Sequence, residues 1–343
     1  MSTGCKVDFF LEETTKMTHF FRLIAAALAT LAMLSSGGVQ AQPAAWPSKP
    51  VRFIVPFTPG GGTDIATRLV AERLSRMWGQ PVIVENKPGG SSIIGTDYVV
   101  RSAPDGHTLL AAVPVTVQNV ALRKNLPYDT IKDLVPVTEL NRQQYAVIAR
   151  STFETNTLAE ILAQGKTAKT PLLFASSGIG STGHIAAEKI RLDRAMEMTH
   201  VPYKGSPELV RAIVSAEADL GLVDLQTALP FAKVGRLKIV AFTGPRRLAL
   251  FPTVPTLAES GIKGFEAYNW VGYFAPRGTP ADIVQKISDD INQVQSDPAI
   301  TRRMENDLAV EPTRTTPAEF RQVFEQDLNT WTSVIKAVGI TLD

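Results

Sequence analysis

Short apolar runs alternate along the chain with segments in which apolar residues recur every three or four positions. Val51, Phe53, Ile54 and Val55 form the first run and predict a buried strand. Pro56 to Gly62 break regular structure, and Gly60, Gly61 and Gly62 permit a tight turn. Ile65, Ala66, Leu69, Val70, Leu74 and Met77 then recur at helical spacing, with Thr63 or Asp64 as candidate N-cap. The unit repeats. Residues 81–84 predict a strand, 85–90 a turn and 91–101 a helix with Ile93, Ile94, Tyr98 and Val99 on its apolar face. Residues 107–113 predict a third buried strand, followed by a loop containing Pro114 and Thr116. Strands alternating with helices indicate an α/β fold with a largely parallel sheet.

After a change of texture around residues 127–136, Tyr145 to Ala149 predict a strand that opens a second α/β series. Strands are expected at 172–175, 199–201, 219–223, 237–242 and 270–274, and helices at 158–163, 182–194 and 281–295. Ser206 reads as an N-cap with Pro207 at the first helical position, followed by the apolar face Leu209, Val210, Ile213 and Val214. Residues 317–338 predict one or two further helices. The chain carries no internal repeat and no low-complexity linker, so strands rather than a flexible tether are expected to join its halves.

Near the N-terminus the run LIAAALATLAML (23–34) is too short to span a bilayer comfortably. Arg22 precedes it and Val39-Gln40-Ala41 follows. This is the pattern of a secretory signal peptide (1–41) cut after Ala41, which implies that the mature chain is exported. Asp8, Glu12 and Glu13 do not suit a leader, whereas Met17 begins a conventional one, so Met17 is the expected true start. The only cysteine, Cys5, lies in the removed part, which leaves neither disulfide nor thiol chemistry nor a lipid-anchoring cysteine. About 300 residues remain, enough for two domains. A net charge of +2 with mixed signs argues against a nucleic-acid surface.

The usual catalytic constellations are missing. His107, His184 and His200 form no metal-spaced pair. The glycine loop lacks the Gly-Lys-Ser/Thr of a Walker motif, and Asp64 stands where GxGxxG needs a small residue. Ser176-Ser177-Gly178 lacks the G-x-S-x-G frame. A hydrolase would need a serine near His184 with a carboxylate behind it. What recurs instead is a Gly/Ser/Thr-rich junction opening a helix, at 60–64, 89–92, 176–182 and 205–206. Such loops lie outside the carboxyl ends of strands, where open α/β sheets bind ligands. Their N–H groups and hydroxyls either converge on an anion or serve as ordinary turns that never share a cleft.

The motifs WPSKPVRFIVPFTPGGGTD (46–64), ENKPGGSSIIG (85–95), APDGHTLL (103–110), LLFASSGIGSTGH (172–184), HVPYKGSPELV (200–210), FPTVPTLAESG (251–261) and WVGYFAPRGTP (270–280) resemble the Bug/TctC family. These are the extracytoplasmic receptors of tripartite tricarboxylate transporters. The resemblance implies a two-lobed periplasmic-binding-protein fold of type II-like build, each lobe a mixed, mostly parallel sheet flanked by helices. Lobe 1 would be 42–142 plus 267–343, and lobe 2 would be 143–266. It implies a monomer without cofactor, metal or catalysis that binds a di- or tricarboxylate or an aromatic carboxylate and serves membrane permease subunits. A receptor that signals to a sensor partner is the alternative of the same build. By similarity, backbone N–H groups of Gly61, Gly62 and Thr63 would hold one carboxylate, Phe57 and Thr58 would contact the ligand, and Asp64 would position bridging water. Ser91 and Thr116 would complete the first lobe's wall, with Ser176, Ser177, Gly180, Ser181, His184 and Asp224 from the second. Three stretches depart from the family pattern: the apolar residues 113–117, Ile179 in the SxGxGS loop, and the polar run Asn141 to Gln144. The first two imply an apolar ligand body, aromatic or branched.

Overall fold

The computed structural model describes residues 46–342. The expectations for the leader, Met17 and Cys5 lie outside the described residues. Among those residues no helix is long and apolar enough to cross a membrane. Strand β1 (Val51–Val55) contributes Val51, Phe53 and Val55 to one core cluster and Ile54 to another. Apart from exposed Arg52 it is buried on both faces, so the run Phe53 to Val55 shows no polar alternation. β1 lies between β2 (Val82–Asn86) and β3 (Thr108–Ala112) and parallel to both. β9 (Tyr268–Pro276) pairs antiparallel with β3, and β4 (Leu134–Arg150) antiparallel with β9.

β4 joins the two halves. Up to Gln144 it pairs with β9. From Tyr145 onward it pairs with β7 (Leu220–Asp224), and from Ala146 with β8 (Leu237–Phe242). β5 (Leu172–Ser176) lies between β7 and β6 (Met198–Pro202), parallel to both. The order β2-β1-β3-β9-β4-β7-β5-β6 is a mixed sheet flanked by helices, the expected α/β class. One apolar cluster continues through both halves, from Ile54 and Phe274 to Val147, Phe174 and Ile185. Phe320, Phe324 and Trp331 of the helix Pro317–Val338 belong to it. This is one helix rather than two. A Thr316–Glu319 capping box and Pro317 open it, and Gly339 closes it at φ 74°.

Several local expectations give way to tertiary context. β4 has 17 residues, whereas only Tyr145 to Ala149 read as strand. Glu139 and Asn141 within it are buried polar residues, which hid the strand from a hydrophobic pattern. The segment holding Thr116 is a helix, Val115–Leu122, not a loop. The N-cap of the helix Gly62–Trp78 is Gly61, not Thr63 or Asp64, and that of Ser206–Val214 is Gly205, not Ser206. In the helix Ile93–Val100, Ile94 and Tyr98 are exposed, while Gly95, Thr96 and Val99 face inward. Gly95 packs on Pro56, where an added Cβ would stand 2.8 Å from the proline side chain, so the close approach needs small residues on this face. Met77 is also exposed.

Candidate functional site

The segments after β1, β3, β5, β6 and β7 border a small cavity between the halves. Phe57, Thr58, Gly61, Gly62, Thr63, Asp64 and Val113 line it from one side, and Tyr145, Ser177, Ser206, Asp224 and Asn269 complete it, around about 50 Å³. A deeper recess shares Phe57, Val113, Tyr145, Ser177, Ser206 and Asp224 and adds Val115, Ser181 and Thr182. Outward, Phe57 and Ser177 also border a vestibule of about 270 Å³ with Ser91, Ile179, Tyr203 and Lys204. Loops of the two halves are bonded across this region. Thr58 Oγ1 donates to Glu208 Oε2 at 3.0 Å, Ser91 Oγ to the Ile179 carbonyl at 2.5 Å, and Gln118 Nε2 to Thr182 Oγ1 at 2.8 Å.

The positive potential in the cavity comes from the backbone. The helices starting at Gly62 and Ser206 receive no side-chain cap, and both N-termini border the cavity. Their first-turn N–H groups and positive helix ends favour an anion. No lysine, arginine or histidine lies on the cavity wall.

The two acids on the wall are held by other groups. Asp224 caps the helix Leu225–Lys233 by accepting from Thr227 N–H, and it also accepts from the Thr227 and Ser206 hydroxyls. The Ser206 hydroxyl is thereby turned to Asp224, which explains why it does not cap its own helix. Asp64 accepts from Gly60 N–H, Arg68 Nε and Asn86 Nδ2, each at 3.0 Å. Burial works against its charge, but these donors together hold the carboxyl below its ordinary range. A lowered folded-state pKa stabilises the fold above the unfolded-chain value of about 3.9 and is lost as pH falls through the folded value. Asp64→Asn is therefore expected to melt below the wild type at pH 7, with the gap closing below about pH 4, as thermal unfolding at a series of pH values would show.

The other residues singled out in the sequence are placed as follows. Ser177 borders both cavity and vestibule, Ser181 borders the recess, and Ser91 borders the vestibule. Thr116 is fully buried in its helix, with no hydrogen-bond partner for its hydroxyl. Gly180, at φ 81°, packs near Leu122 and Leu342. Ser176 and His184 lie behind the loop. Gly180 N–H donates to His184 Nδ1 at 3.1 Å, and Ser176 Oγ stands 2.6 Å from His200 Nε2. The two imidazoles stack with centroids 4.0 Å apart. Burial lowers both, His200 to about 4 with the help of its neighbour, so both rings are neutral at pH 7 and lend the site no charge. The Ser176–His200 contact does not make a hydrolytic triad, because Ser176 is fully buried and the residue beyond His200 is another imidazole.

Sequence reasoning missed Tyr145 and Asn269 as wall residues, whereas Val113 and Ser206 fall in the stretches 113–117 and 205–206 that it singled out. The Tyr145 hydroxyl donates to Asn269 Oδ1 at 3.1 Å and accepts from Thr182 Oγ1 at 3.2 Å. Burial raises its pKa well above the ordinary range, so it remains a neutral phenol. The polar run before Tyr145 was the available signal, but nothing in it showed that β4 and β9 would meet there.

The receptor family of tripartite tricarboxylate transporters matches residues 66–340, and the chain belongs to that family. It is 30% identical to Protein BugT of Bordetella pertussis over 95% of this chain and 99% of that one. R. palustris Rpa4515, solved with adipate, superposes with a TM-score of 0.82 at 29% identity, covering 86% of this chain and 99% of the other. MatC of Rhodopseudomonas palustris, solved with bound malate, gives 0.79 at 29%, covering 84% and 100%.

Proposed function

We propose that this chain is a periplasmic receptor that captures a small organic carboxylate between two lobes, 42–142 plus 267–343 and 143–266, and delivers it to membrane permease subunits. The observation that carries this reading is the pair of uncapped helix N-termini, one from each half, bordering one cavity. A carboxylate there is bound by Gly61, Gly62 and Thr63 N–H groups and by the Ser206 end, with the Tyr145 and Ser177 hydroxyls as further partners. The adipate and malate seen in two relatives support this ligand class. Asp64 and Asp224 contact the ligand through water, since two ionised carboxylates need a donor between them. Phe57, Val113 and Val115 give the ligand an apolar body to pack on. Closure is a hinge motion about β4 and the start of β9, driven by tighter binding in the closed form. The protein acts as a monomer without a cofactor, and it does not transform what it binds.

A thermal-shift screen of residues 42–343, freed of carried-over ligand, against mono-, di- and tricarboxylates tests this. A ligand at 100 times its dissociation constant adds about 2.7 kcal/mol to the folded state. A saturable rise in melting temperature with one acid, without its consumption, is the expected result. No shift with any aliphatic or aromatic carboxylate would overturn the reading, and consumption of the acid would replace it with an enzymatic one.

A further inference from the structure

Adjacent strand residues point to opposite faces of a sheet. Asn269 of β9 faces the cavity described above, and its neighbours Tyr268 and Trp270 line a different one of about 390 Å³. Arg142 of β4 and Asp327 and Trp331 of the helix Pro317–Val338 supply further walls, and Glu266 stands at the edge. Arg142 is committed elsewhere: its Nε and Nη2 donate to both oxygens of the buried Glu139 at 2.9 and 3.0 Å. Neither Asp327 nor Glu266 makes an ion pair among the described residues, and with Arg142 balanced by Glu139 the cavity is left net negative. Asp327 Oδ2 accepts from Trp270 Nε1 at 2.8 Å, and the Trp331 side chain also donates to this carboxyl. These bonds fix the carboxyl against the cavity wall. The Tyr268 ring is partly exposed and already lies 6.0 Å from the Arg142 guanidinium.

A fixed carboxyl and a partly exposed aromatic ring around a cavity of ligand size form a site for a cation. We propose that this cavity is a second ligand site, taking the ammonium or guanidinium group of a small organic cation, with Asp327 as counter-ion and Tyr268 as aromatic wall. Its lining shares no residue with that of the carboxylate cavity.

Titration of the full mature chain with n-butylguanidinium and n-butylammonium, followed by tryptophan fluorescence and calorimetry, tests the proposal, with neutral butanamide as control. Saturable binding of at least one cation and none of butanamide is expected. Asp327→Asn keeps the side chain's shape and an oxygen for the indole N–H, and it should weaken binding at least tenfold. Tyr268→Leu changes a partly exposed side chain and should weaken it several-fold, which keeps a second arm should the first variant unfold. Burial raises the Asp327 pKa to about 6 against both indole donors and Arg142. Glu266, Tyr268 and Arg142, the last with its partner Glu139, are the other ionisable groups facing it. Affinity in the wild type should therefore fall between pH 7 and pH 5, and this fall should be absent in Asp327→Asn. Failure of both cations to bind the wild type, or equal affinity in folded Asp327→Asn and the wild type, would overturn the assignment.

Discussion

Replacing Gly62 by valine is expected to cut carboxylate affinity by about 10- to 100-fold while leaving the chain folded. Gly62 needs its missing side chain for space, not for backbone freedom. A Cβ built there would stand 2.2 Å from Gln226 Nε2 and 2.8 Å from Asp224 Oδ1. Both atoms belong to the opposite wall. Gln226 is buried, and Asp224 is pinned by Ser206 and Thr227. Overpacking of this kind costs about 1–3 kcal/mol. Because the clash lies between the halves, the cost falls on the proposed closed arrangement, and each 1.4 kcal/mol is about a factor of ten in affinity. Calorimetric titration with the acid identified by the thermal-shift screen measures the loss, and circular dichroism confirms the fold. Affinity within twofold of the wild type would mean that binding does not require this approach of the two walls.

Phe320→Ala is expected to cost about 3–5 kcal/mol of stability, the largest single effect anticipated for this chain. Its ring is fully buried, 4.9 Å from the Phe274 ring and 5.6 Å from that of Trp270. It also lies directly on the backbone of β9, since a Cβ at Gly272 would fall 2.1 Å from Phe320 Cζ. Removing the ring therefore opens a void against a glycine that has nothing to fill it with. The cost adds lost apolar burial to an unrelaxed cavity. Urea unfolding should show a lower midpoint at an unchanged slope. A loss below about 1 kcal/mol would show that the C-terminal helix is held to β9 by other contacts.

Parts of the chain with strong local signals were legible from sequence. β1 and the helix after it follow from an apolar run, a glycine turn and a helical period. The helix Ala281–Gln295 matches its predicted span because its apolar face repeats without interruption. Where polar residues are buried by tertiary pairing, the pattern misleads. The first part of β4 was missed because Glu139 is buried beside Arg142, and Asn141 opposite Val271. Ile94 and Tyr98 were assigned inward because they are apolar, yet Gly95 and Thr96 face in, where Pro56 leaves no room for larger groups.

The α/β class, the glycine and serine loops that open helices, and the family were all legible along the chain. These are local properties: hydrophobic period, turn chemistry and contiguous motifs. Which loops share a cavity follows from the three-dimensional fold, since sheet order brings together residues as far apart as Gly62, Tyr145, Asp224 and Asn269. The fold also decided that Ser206 bonds Asp224 instead of capping its helix, and that the paired imidazoles stand behind the site. Those outcomes depend on which donor reaches which acceptor across the sheet, and spacing along the chain does not encode that.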